Sequence, residues 1–130
     1  MWAFVLSAVA AAQQKATTRD FTKSPTEHII NRIEQPFVVQ WIKGSISLQA
    51  GGPTESLANV LFEIQGPGVD RKIRHATTDD SGHFKIGHVP AGSYRFKATL
   101  NGFQSVVGTI TVSKEAPNAN EIKIVMSVGV

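Results

Sequence analysis

The chain has 130 residues, 42% of them hydrophobic, which is enough for one compact domain around a single core and too little for two. It contains no cysteine, so disulfides, thiolate metal sites and cysteine nucleophiles are excluded. The net charge of +3 comes from 13 Lys and Arg dispersed among 10 Asp and Glu rather than gathered into a stripe, so no nucleic-acid partner is expected.

Residues 1–12, MWAFVLSAVAAA, form an uncharged apolar run ending in small residues. The run is shorter than the roughly 20 residues a membrane-spanning helix needs. It reads as the apolar core of a secretory signal, with Ala10 and Ala12 at the positions a signal peptidase recognises, and predicts a secreted or periplasmic protein. The run lacks the usual preceding Lys or Arg, which fits a start further upstream; the alternative is an N-terminal strand or helix packed on the domain. No later segment is apolar enough for a stable membrane span.

Residues 13–36 are read as a polar leader and a possible short helix. Ser24 suits a helix cap, Pro25 the first helical position, and Glu27 completes a capping box. Ile29, Ile30 and Ile33 would then share one face of a helix that ends before Pro36. The alternative is a loop that lays two or three isoleucines on the domain.

The domain proper is expected over residues 37–130. Residues 37–48 predict one long strand with Ile42, Ile46 and Leu48 facing the core and Phe37, Val39 and Trp41 facing away. A Gly-Pro turn follows, then a strand with Ala58, Val60, Phe62 and Ile64 on one face and Asn59, Leu61 and Glu63 on the other. Residues 71–77 hold one strong apolar residue, Ile73, and predict a polar edge strand. Asp79-Asp80-Ser81-Gly82 is a turn. Phe84 and Ile86 then alternate with Lys85 and Gly87, and Tyr94, Phe96 and Ala98 with Arg95, Lys97 and Thr99; Val89-Pro90-Ala91-Gly92 between them predicts a hairpin. Ile110 and Val112 mark the next strand, and Ile122, Ile124, Met126 and Val128 share one face of the last. The count is about seven strands at the spacing of a Greek-key sandwich.

The order from Thr77 to Phe103, TTDDSGHFKIGHVPAGSYRFKATLNGF, closely resembles the carboxypeptidase regulatory-like domain, and the resemblance extends over about residues 42–128. Gly44-Ser45-Ile46 resembles that family's first strand, and Leu57-Ala58-Asn59-Val60 its approach to the second. The resemblance implies an all-β, seven-stranded Greek-key β-sandwich of the transthyretin (prealbumin)-like type, often grouped with carbohydrate-binding-like folds, here with a short N-terminal extension. It implies a fold more than an activity.

Chemistry is sparse. Trp41 is the candidate ligand platform: outward on its strand, it would either stack on a sugar ring or cover a sheet edge. Tyr94 would serve a sugar less well, because it has core parity. His75, His83 and His88 lie near one another in sequence, but a regular strand puts His83 and His88 on opposite faces, so neither a metal nor a catalytic site is expected. Asp79, Asp80 and Ser81 offer too few oxygens for calcium and read better as a turn. Transthyretin-like sandwiches include 5-hydroxyisourate hydrolase, whose C-terminal Tyr-Arg-Gly-Ser motif is replaced here by Met126-Ser127-Val128-Gly129-Val130. Related adhesin domains carry Lys-Asn isopeptide bonds beside a buried acid; Lys43, Glu63 and Asn120 supply the residue types, but Lys43 and Glu63 have outward parity. The expectation is a non-enzymatic, exported bacterial module without cofactor, meeting a protein or glycan partner at the cell envelope. A carbohydrate-binding module is the alternative, and a transthyretin-like hydrolase the more remote one.

Overall fold

The computed structural model describes residues 21–49 and 55–129, so the signal-like run and the leader before Phe21 lie outside it. Among the described residues ten strands make two sheets, against an expectation of about seven. The first sheet holds β1 (Ile30–Arg32), β2 (Phe37–Val39), β5 (Leu61–Gln65), β6 (Ile73–Thr77), β8 (Gly92–Thr99) and β9 (Ser105–Val112). Its order is β1-β9-β8-β5-β6, with β2 continuing beyond β1 along the same flank of β9. The second holds β3 (Ile42–Leu48), β4 (Glu55–Ser56), β7 (His83–Ile86) and β10 (Ile122–Met126), all built around β3. Most pairings are antiparallel, but β1 and β2 run parallel to β9, and β10 runs parallel to β3.

Alternation places the core between the sheets as expected. Ile42 and Ile46 of β3, Phe62 and Ile64 of β5, Phe84 and Ile86 of β7, Tyr94, Phe96 and Ala98 of β8, and Ile122, Ile124 and Met126 of β10 are all buried. Phe62 bridges the layers, stacking on Phe84 of the facing sheet with ring centroids 4.1 Å apart and on Phe96 of its own sheet at 5.4 Å. The Tyr94 hydroxyl donates to the carbonyl of Pro90, so its one polar atom is satisfied inside. Burial first raises its ionisation range, and the phenol stays neutral. Gly44 has a clear reason: a Cβ there would lie 1.8 Å from the carbonyl oxygen of Ile122, and only a glycine lets β3 and β10 approach so closely.

Four expectations change. Residues 37–48 are two strands, because the chain bends at Gln40 and Trp41 and passes from the first sheet to the second. That bend resets the parity, so Val39 is buried although Trp41 is not. The predicted hairpin does not form: β7 pairs with β3 and β8 with β5 and β9, so the Val89-Pro90-Ala91-Gly92 segment arches between layers. Ser24-Pro25-Thr26-Glu27 makes a turn closed by the Glu27 N–H donating to Ser24 O at 3.1 Å, and of the two alternatives, helix or loop, neither holds throughout: a turn leads into β1. Ile29 and Ile30 are half exposed there, while Ile33 packs on the core margin. Val128 is exposed, since β10 ends at Met126. The expected polar edge holds, for β6 closes one side of the first sheet.

Candidate functional site

The outer face of the second sheet carries the residues best suited to a ligand. Trp41 sits at the bend between β2 and β3 and is 43% exposed. Its indole N–H donates to Asn118 Oδ1 at 3.3 Å, and His88 meets the ring edge-on at 5.6 Å. The loop carrying Asn118 is tied to the bend twice more, by Asn120 donating to Val38 O at 2.9 Å and by Gln40 donating to Ala116 O. The ring is therefore held in place rather than free to fold down. Beside it, Lys43, Lys85, Ile86, Gly87 and His88 complete a recess of about 290 Å³. Farther along β3 a second recess of about 470 Å³ is lined by Ser45, Ser47, Ser56, Ser81, His83 and Lys123.

This placement corrects one reading of the histidines. His83 points outward from β7, and His88 lies beyond the end of that strand at Ile86, so regular alternation does not apply and both open on the same side. His75 is on β6, opposite Glu63 in the first sheet, and does not join them. Among the described residues no cluster of three or more His, Cys, Asp or Glu side chains is arranged to hold a metal ion. Asp79 accepts from the backbone N–H of His83 at 3.0 Å and of Ser81 at 2.9 Å. The His83 bond, ahead of any burial effect, keeps its carboxyl below the usual carboxylate range, as in a side-chain-closed turn. Lys43, Glu63 and Asn120 do not meet. Lys43 faces out from the second sheet, Glu63 lies on the opposite sheet, and Asn120 is bonded to Val38.

The outer face of the first sheet is different, because residues 21–27 lie across it as a strap before the chain joins the sheet as β1. Thr22 donates to Glu63 through its N–H at 2.9 Å and its hydroxyl at 3.1 Å, which buries a carboxylate that alternation alone leaves in water. Glu27 forms an ion pair with Lys97 at 3.0 Å and also accepts from the Ser105 hydroxyl. Burial by itself would raise the Glu27 carboxyl, but the Ser105 and Lys97 hydrogen bonds and the ammonium charge outweigh it and hold the group below its ordinary range. A cleft of about 420 Å³ runs beside the strap, where the Arg95 guanidinium lies over the Phe21 ring at 5.5 Å and donates to Gln65. Its charge is already engaged. The only sequence signal for the strap was Ser24-Pro25-Thr26-Glu27 itself, whose chemistry serves a turn as well as a helix start.

No curated protein matches the chain. Among solved structures, a minor pilin from Streptococcus agalactiae is 22% identical with a TM-score of 0.51, over 69% of this chain and 46% of the pilin. A Pseudomonas aeruginosa protein described as a candidate carbohydrate binder is 19% identical with a TM-score of 0.46, over 72% of this chain and 90% of that one. The sequence model of the carboxypeptidase regulatory-like domain matches residues 42–127, which takes in every strand from β3 to β10, and the chain belongs to the carboxypeptidase regulatory-like domain family.

Proposed function

We propose that this domain is a non-enzymatic interaction module, exported to the cell envelope, that receives a protein partner along a free strand edge. The observation that carries the reading is β10. Among the described residues it pairs with β3 alone. The Gln49 N–H donates to Met126 O at 2.8 Å, so Met126, and by alternation Ile124 and Ile122, turn their backbone groups toward β3. Lys123 and Val125 turn theirs to the open side, which ends where Ser127 O accepts from the Gln104 N–H at 2.9 Å, and Val125 is 46% exposed. An extended segment of a partner could pair there. By contrast β6, the edge of the first sheet, carries Arg74 and His75 and follows Arg71 and Lys72, a charged guard against pairing.

The test is a photo-crosslinking amino acid at Val125 in cells that make the protein, with Val125→Pro as control. Proline removes one outward N–H and leaves the β3 ladder intact. A discrete crosslinked partner whose binding Val125→Pro abolishes supports the reading; partner binding unchanged by Val125→Pro sinks it.

A second reading has its own observation. Trp41 is exposed and braced beside His88, Lys43 and Lys85, an arrangement that suits a carbohydrate-binding module with the indole as stacking platform.

A further inference from the structure

We infer that the outer face of the second sheet is a binding site for an acidic polysaccharide, one whose sugar units carry carboxylate or sulfate groups. The inference rests on the carbohydrate reading of Trp41 and adds the charge of the ligand and the residues that read it.

The register sets the positions. Lys43 of β3 stands directly opposite Lys85 of β7, and in the next outward row Ser45 stands between His83 on one side and Lys123 on the other. Like charges placed directly opposite one another destabilise a sheet. Nothing nearby offsets them: the sole ion pair among the described residues is Lys97 with Glu27, on the other sheet. Acids stand at the margin, Glu55 on β4, Asp79 and Asp80 in the turn before β7 and Glu121 before β10, and none of them is ion-paired with the lysines. Asp79 is committed to the backbone N–H groups of Ser81 and His83. Three lysines are thus left without a counter-charge on one face of a β-sheet. An anion is the ligand that such a face lacks.

The remaining chemistry separates a sugar acid from other anions. Trp41 presents an aromatic face at one end of the row, fixed by Asn118 and His88, and a pyranose can lay its C–H face on such a ring. Ser45, Ser47, Ser56 and Ser81 line the other end and offer hydroxyls to sugar hydroxyls. From Trp41 to Ser47 the strand spans about 20 Å, enough for several sugar units side by side with the two lysines in the middle. The ligand would lie along β3, with stacking at one end, acid groups over Lys43 and Lys85, and hydroxyl contacts beyond. A single-stranded nucleic acid would want several stacking aromatics along a continuous basic groove, and this face has one.

The experiment is titration calorimetry of the full chain with alginate, polygalacturonate and dextran sulfate, and with neutral dextran and amylose, repeated with an oligothymidylate. The variants are Trp41→Ala and the double Lys43→Gln/Lys85→Gln, each checked by thermal melting. The expected result is binding to acidic polymers alone, weaker as salt rises, lost in Trp41→Ala and reduced by about tenfold or more in the lysine double variant. The double variant should melt no lower than the parent, because the removed charges repel each other. Equal binding to neutral polymers would overturn the charge inference while leaving the carbohydrate reading standing. Binding to no polysaccharide would end both, and equal binding to the oligothymidylate would show a general polyanion surface instead.

Discussion

The two outer faces of this sandwich treat charge in opposite ways. On the first sheet, Lys97 and Glu27 are paired and nearly excluded from water, with side chains only 6% and 9% exposed, and Glu63 is capped by Thr22. On the second sheet, Lys85 and Lys123 stand exposed and Lys43 half-buried beside them, all three without an ion pair. The same alternation of apolar and polar residues produced both faces, so alternation does not decide which polar face is finished and which is left for a partner. What decides it is a strap from the N-terminal side that crosses one face and not the other.

The comparison can be broken most severely through the core that both faces share. Phe62→Ala removes the ring that stacks on Phe84 and Phe96 and should cost about 3–5 kcal/mol by chemical denaturation. A loss below about 1 kcal/mol would mean that the two layers are not joined through these rings. Lys97→Ala comes next. It leaves Glu27 buried without its partner and should cost about 3 kcal/mol, limited by release of the strap, which hydrogen exchange over residues 21–27 would reveal. Replacing both partners, Glu27→Gln with Lys97→Met, should recover most of that loss, whereas equal losses in the single and double variants would rule out pairing as the source.

Acid sharpens the contrast with a smaller effect. Glu27 has a folded-state pKa below its ordinary value of 4.5, so its contribution is present in full above that value and is lost as the pH falls through the lower folded value. Strap amides should therefore lose exchange protection below pH 4.5 before the core does, and protection that persists in acid would argue against the ion pair as the fastening. The smallest effect belongs to the open face. Lys43→Gln should shift stability by about 0.5 kcal/mol or less, toward greater stability, and a loss above about 1 kcal/mol would show an unrecognised partner for that ammonium.

Much of this was readable from the residues. The apolar positions of β5, β7, β8 and β10 alternate so regularly that their core members, Tyr94 among them, could be named without coordinates. What failed was the assignment of strands to sheets. Val89-Pro90-Ala91-Gly92 has the chemistry of a tight turn, but a proline-glycine segment of that length can also arch between layers, and only the cross-sheet contact of Phe62 with Phe84 selects the arch. The bend at Gln40 and Trp41 was hidden because apolar residues continue through it; its fastenings, Asn118 and Asn120, lie far along the chain. The strap was hidden for the same reason: Glu27 meets Lys97 and Ser105 only after the whole sheet has assembled. Trp41 was singled out as the candidate platform, but the lysines beside it gained meaning only when the register set Lys43 against Lys85.

The parallel pairing of β3 with β10 makes the order of synthesis part of the fold. Gly44 must wait for Ile122, and its missing side chain is the space into which that last strand closes. Until residues 122–126 have left the ribosome, β3 has β7 and β4 on one flank and, among the described residues, no strand on the other. The second sheet is therefore expected to close last, slowly, as contacts so distant in sequence require. A chain cut after Asn120 should show native-like exchange protection in β5, β8 and β9 and little in β3; equal protection in β3 would mean that the sheet closes without its final strand.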